Sequence, residues 1–163
     1  MKKAGILLFL FSFLYGCSFE TPTSFPEEVL NDTMLQLDGS EIQFRDILRK
    51  HEGKKIVIDV WASWCKDCIV GFPKLKALQE EFPNTDFVFL SVDRNPAAWQ
   101  RSLTRYDLKG DHYFIPDGQK GVFGDFMNSN WIPRYLVIDA QGNIELFKAK
   151  KADDKNLKEV LIN

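Results

Sequence analysis

Apolar and polar residues alternate along Leu35-Gln36-Leu37 and again along Glu41-Ile42-Gln43-Phe44, on either side of Asp38-Gly39. Alternation at period two around an Asp-Gly pair predicts a β-hairpin. Ile47 and Leu48 follow in a short helical stretch that ends near Gly53. Residues 55–62 (KIVIDVWA) form a run rich in β-branched residues, the pattern of a strand buried on both faces, with one carboxylate, Asp59, inside it. From residue 65 to 82 the period changes. Ile69, Phe72, Leu75, Leu78 and Phe82 recur three or four apart, which predicts a helix, and Pro73 in its middle predicts a kink.

Residues 87–92 (FVFLSV) read as a second buried strand. Asn95-Pro96 opens another helix, with Asn as N-cap and Pro in the first turn. A mixed stretch with four glycines occupies 109–130 and holds a short apolar patch at 122–126. Residues 135–138 are a third buried strand, 139–143 a turn, 144–149 an alternating edge strand and 153–162 an amphipathic helix. Strands alternating with helices predict an α/β fold with a largely parallel sheet, to which the last tight turn adds one antiparallel strand.

The first residues follow a different rule. Met1-Lys2-Lys3 is positive, and residues 4–16 (AGILLFLFSFLYG) are almost wholly apolar. That run is shorter than the roughly 20 residues a membrane-spanning helix needs, and it fits the apolar core of a secretory signal peptide. Leu14-Tyr15-Gly16-Cys17 resembles the bacterial lipobox, in which the cysteine is lipidated and becomes the new N-terminus. The expected organisation is therefore a signal peptide over 1–16, a lipidated tether over 17–33 beginning at Cys17, and a folded domain over 34–163. The resemblance implies a lipoprotein of the cell envelope facing the periplasm. Ser18 stands where an Asp retains many lipoproteins at the inner membrane, so the outer membrane is favoured in a Gram-negative envelope.

With 163 residues, the chain is long enough for one domain with a real core, and 14 Phe and 4 Trp make that core aromatic-rich. A formal charge of −2, with no Lys/Arg cluster interleaved with aromatics, points away from nucleic acid. If Cys17 carries lipid, Cys65 and Cys68 are the remaining thiols. Two cysteines three apart do not staple distant parts of a fold together.

Trp64-Cys65-Lys66-Asp67-Cys68 lies directly after a buried strand, at the start of a helix. Residues three apart in a helical turn bring their Cα atoms to about 5–6 Å, which suits a disulfide. Cys65 falls where free backbone N–H groups and the helix dipole favour an anion, and the thiolate is the attacking species. Cys68, one turn deeper, is placed to resolve a mixed disulfide on Cys65. Two other readings of the pair stay open. One is half of a zinc site, for which His51 and His112 are the further ligands on offer, neither in a paired motif; the other is a pair of inert buried cysteines.

Residues 57–65 (VIDVWASWC), Pro73 eight residues after Cys65, and residues 131–139 (WIPRYLVID) together resemble the thioredoxin superfamily. The longer gap from Cys65 to Pro133, together with the tether, resembles its TlpA/ResA-like branch of membrane-anchored thiol–disulfide oxidoreductases. The resemblance implies a thioredoxin fold: a central mixed sheet flanked by helices, an N-terminal hairpin, and a helix–strand insertion before a cis-proline. It implies Asp59, six residues before Cys65, as a buried acid/base for Cys68, and Pro133 as the cis-proline. Pro133 would set the Ile132 backbone beside Cys65 for a substrate strand, and Trp64 and Trp131 either line an apolar docking surface, the reading kept for Trp64, or are partly covered core aromatics. The redox group is then the Cys65–Cys68 disulfide itself, with no other cofactor and no metal.

Ile132 and Asp59 resemble reducing members more than oxidising ones. The implied partners are disulfide-containing envelope proteins, a membrane thiol that supplies electrons, and the membrane through the lipid. The chain departs from the family at Asp67, where Pro is common before the second cysteine, and at Arg134, where Thr is common after the cis-proline. Arg134 either steers acidic substrates or is solvated, and solvation is the simpler expectation. The competing functions on the same fold are a thiol peroxidase, which usually has a Thr where this chain has Ala62, and a copper-binding or delivery module.

Overall fold

The structure is a computed structural model that describes residues 21–163; the signal peptide expected over 1–16 and Cys17 lie outside the described residues. A short helix α1 (Glu27–Leu30) leads into the hairpin of β1 (Thr33–Leu35) and β2 (Glu41–Gln43), which turns at Asp38-Gly39. Gly39 takes a positive φ of 83°, open to glycine without a side-chain clash. Helix α2 (Phe44–Lys50), strand β3 (Ile56–Trp61) and the long helix α3 (Lys66–Glu81) follow. Next come β4 (Asp86–Ser91), α4 (Pro96–Tyr106) and β5 (Asp111–Phe114). A 3₁₀ turn (Gly118–Lys120) and α5 (Val122–Phe126) lead to β6 (Arg134–Ile138), β7 (Ile144–Ala149) and α6 (Lys155–Ile162). Asn95 caps α4 as its sequence signals, its side chain accepting from the Ala98 amide at 2.9 Å with Pro96 in the first turn.

The strands form one seven-stranded sheet in the order β2-β1-β5-β4-β3-β6-β7. β3, β4 and β5 run parallel; β1 pairs antiparallel with β2 and β5, and β6 pairs antiparallel with β3 and β7. The sheet is thus mixed, as the family resemblance implies, and the largely parallel sheet inferred from strand–helix alternation is corrected. The link from β5 to β6 is the 3₁₀ turn and the short helix α5, after which the chain enters β6 antiparallel to β3. All six residues of β3 are buried, so helices and loops cover both of its faces.

The expected tether to residue 33 is also too long at its inner end. Phe25 and Val29 are core residues, Phe25 packs edge-on against Phe44 at 4.9 Å between ring centroids, and the Thr23 carbonyl accepts from the Ile144 amide. An apolar pair four residues apart in a polar, Pro-containing stretch is too brief a signal to mark a packed segment. Among the described residues, no helix is long and apolar enough to cross a membrane.

Candidate active site

β3 delivers the chain to the cysteines, and Asp93 fixes the turn between them. Asp93 is buried just past β4; its carboxylate accepts from the Ser63 amide at 3.0 Å, from Ser63 Oγ at 2.6 Å and from Ser91 Oγ at 2.8 Å. These bonds tie the loop before Cys65 to the neighbouring strand. An Asp at a strand end reads as an ordinary loop residue, so sequence reasoning passed over it.

Cys65 is the N-cap of α3, and the Cys68 amide donates to its Sγ at 3.1 Å. That N–H and the helix terminus favour negative charge on Cys65. Cys65 and Cys68 form a disulfide with Cα atoms 5.3 Å apart, the separation expected for two positions one helical turn apart. The Ile132–Pro133 peptide is cis, and the Ile132 carbonyl oxygen lies 3.7 Å from Cys65 Sγ.

Cys65 is 6% exposed, less than an open helix-start thiol. It lies in a cleft of about 400 Å³ whose walls include Trp64, Trp131, Ile132, Gln119 and Asn130. Gln119 and Asn130 belong to the segment between β5 and β6, more than fifty residues along the chain, and they help close the cleft around a thiol at a helix start. Trp64 and Trp131, at 51% and 54% exposed, present two large apolar faces beside the sulfur, and Trp131 is surface rather than partly covered core.

Asp59 lies in the middle of β3, opposite Phe89 on β4 and Tyr135 on β6. Its side chain shares a face with Trp61, two residues on, and Trp61 packs against Phe72 of α3 at 5.4 Å between ring centroids. Asp59 therefore faces the helix that carries Cys68. It is 1% exposed, and among the described residues neither carboxylate oxygen has a hydrogen-bond partner. Burial holds its pKa well above the ordinary carboxylate value.

Tyr135 shares this face of the sheet with Asp59. Its hydroxyl also lacks a partner among the described residues and lies 3.7 Å from where a Cβ on Gly71 of α3 would sit. Burial first, and the Asp59 charge second, push the Tyr135 phenol up. Sequence reasoning placed Tyr135 in a strand but assigned it no part in the site. The cross-strand register that brings it to Asp59 is not visible locally.

Arg134 reverses its sequence expectation. It is 7% exposed rather than solvated; its Nη1 donates to the Pro133 carbonyl at 3.2 Å, and burial lowers its pKa from the ordinary value. The two histidines do not join the cysteines. His51 pairs with Asp86 and Asp111 where β4 and β5 begin, at the end of the strands opposite Cys65. His112 stacks on Phe89 and donates from Nε2 to the Leu108 carbonyl at 3.0 Å. Among the described residues, no three His, Cys, Asp or Glu side chains cluster in a way that would hold a metal ion.

Residues 53–144, more than half of the chain, match the family described as Thioredoxin-like. The chain belongs to the thioredoxin-like family. It is 32% identical to a Bacteroides vulgatus protein described as a thiol–disulfide oxidoreductase, whose solution structure aligns with a TM-score of 0.66 over 80% of this chain and 83% of that one. A secreted Mycobacterium tuberculosis disulfide oxidoreductase shares the fold, with 23% identity and a TM-score of 0.61 over 83% and 96% of the two chains. The thiol–disulfide oxidoreductase ResA of Oceanobacillus iheyensis is 25% identical over 122 residues, 74% of this chain and 60% of ResA. This thioredoxin-like chain thus spans about three fifths of the length of that relative.

Proposed function

We propose that this thioredoxin-like chain is a thiol–disulfide oxidoreductase of the bacterial cell envelope that reduces disulfides in exported proteins. The observation that carries the reading is the Cys65–Cys68 disulfide at the start of α3, with Cys65 Sγ beside the Ile132 carbonyl in a cleft that Trp64 and Trp131 also line. The Bacteroides vulgatus and ResA relatives bear the same activity in their names, which supports it.

In the reduced form, the Cys65 thiolate attacks one sulfur of a substrate disulfide. That S–S bond breaks, a Cys65–substrate disulfide forms, and the departing substrate thiolate takes a proton. Cys68 then loses its proton to the Asp59 carboxylate and attacks Cys65 Sγ. The second substrate thiol leaves and the Cys65–Cys68 disulfide remains, two electrons having passed to the substrate. A carboxylate with a raised pKa is a stronger base and a closer match to a buried thiol. The Ile132 backbone pairs with the substrate strand, and Trp64 and Trp131 cover its apolar side chains. A membrane thiol donor returns the pair to the dithiol, and lipid on Cys17 keeps the domain at the membrane, by preference the outer one in a Gram-negative envelope.

The test is catalysis and anchoring together. The full chain, purified in detergent, is expected to accelerate insulin reduction by dithiothreitol, and mass spectrometry of the mature N-terminus is expected to show lipid on Cys17. An insulin rate equal to dithiothreitol alone contradicts the activity; an unmodified Cys17 contradicts the anchor.

A further inference from the structure

Arg134 follows Pro133 directly and begins β6. Its guanidinium carries five N–H donors in a rigid fork and stays charged at any working pH. The structure satisfies one donor, through the Pro133 carbonyl, and among the described residues no carboxylate lies within salt-bridge distance of the fork. A buried charge without a counter-ion is costly, and most such charges in proteins are paired. This one forms part of the wall of a cavity of about 570 Å³.

The charged residues around that cavity lean one way. Lys74, Arg134, Lys150 and Lys151 face two carboxylates, Asp67 and Asp153, and Lys74 already pairs with Asp153 at 2.5 Å. Asp67 is exposed, whereas Arg134 is buried. The unpaired charge at the wall is therefore positive, and its unused donors match the planar, bidentate geometry of a carboxylate. Asp67 and Trp131 border both this cavity and the cleft that holds Cys65, so the two spaces adjoin.

We propose that the cavity takes an acidic side chain of the substrate, an Asp or Glu within a few residues of its disulfide cysteine, and that Arg134 binds that carboxylate. The proposal rests on the dithiol-exchange reading and narrows its substrate class to acidic segments. Lys150 and Lys151, exposed at the rim, add attraction without fixing geometry.

The test uses the full chain and three short peptides that differ only in carrying Glu, Gln or Lys two residues from a cysteine. In one set the cysteine is replaced by serine, and binding is read by tryptophan fluorescence. In the other the cysteine is joined in a disulfide to a reporter thiol, and single-turnover reduction is followed. The Glu peptide is expected to bind and react about tenfold better than the Gln peptide, the size of one charge-assisted hydrogen-bonded contact, with the Lys peptide poorest. The preference should fade between about 0.01 and 1 M ionic strength, as the screening length falls from about 30 to about 3 Å. Arg134→Gln should bring the Glu/Gln ratio to within about twofold, and Arg134→Lys should restore part of it.

Equal reduction of all three peptides by the wild-type chain overturns the proposal and leaves dithiol exchange standing. A full Glu preference in Arg134→Gln overturns the role of Arg134. If the Glu peptide of the serine set binds through Arg134 while no disulfide is reduced, the anion site stands and the dithiol reading falls.

Discussion

Replacing Cys65 by serine is expected to abolish insulin reduction, leaving the rate of dithiothreitol alone. Cys65 sits where the Cys68 amide and the start of α3 favour a thiolate, and serine offers no nucleophile of comparable strength there. The exchange needs one sulfur to attack and a second to resolve, so no partial pathway remains. The fold should survive. Serine is close to cysteine in size, and the lost disulfide closes a loop of only three residues' separation, the case in which loop closure contributes least. Far-UV circular dichroism should superimpose on the wild type. Insulin reduction retained in Cys65→Ser would place the activity elsewhere; loss of the circular dichroism signal would make the cysteines structural.

Asp59→Asn should slow turnover on the order of tenfold or more, the usual range for losing a general acid or base. Asparagine keeps the size of the side chain but takes no proton from Cys68. The deficit should grow as pH falls toward the raised Asp59 value, because fewer Cys68 thiols ionise unaided, and level off below it, where Asp59 is itself protonated and accepts nothing. Stability should move the other way. Asp59 is buried with no hydrogen-bond partner among the described residues, and its folded pKa lies above the ordinary 3.8. As pH rises from about 4, the unfolded chain gives up this proton while the folded chain holds it, so folding loses stability until pH passes the raised value. An asparagine at this position does not titrate and suffers no such loss. The variant should therefore be the more stable form at neutral pH, with a margin that widens with pH across that window and then levels off. Denaturant unfolding and single-turnover reduction across pH 5.5–9 check both halves. Unchanged rates and a constant margin would leave Asp59 without the proton-transfer role.

Much of this site is legible in the sequence because its signals are local. The β3 run, the change of period at Cys65, Pro73 within the helix and the Asn95-Pro96 start each depend on a few neighbouring residues, and the observed elements begin and end within one or two residues of them. What the sequence misplaced depends on partners far along the chain. Buried strands look alike in either direction, so residues 134–138 do not reveal that β6 runs against β3. Arg134 reads as a surface cation because the residues that share its cavity, among them Lys74 of α3 and residues 150–153 after β7, come from distant parts of the chain. Asp93 and Tyr135 acquire their roles by facing Ser63 and Asp59 across strands, a relation that no spacing encodes. Phe25 joins the core by packing on Phe44 of α2, beyond the β1–β2 hairpin, and Val29 is buried in the same core.

The division of labour between the two cysteines is the centre of the account, and one variant tests it directly. In Cys68→Ala, attack by Cys65 proceeds but resolution cannot, so the chain incubated with a peptide disulfide should accumulate a stable mixed disulfide. Peptide mapping by mass spectrometry should place it on Cys65 in nearly every trapped molecule, and Cys65→Ala should trap almost none. Adducts on Cys68 in Cys65→Ala at a comparable rate, or no adduct in Cys68→Ala, would contradict the assignment of Cys65 as the attacking residue.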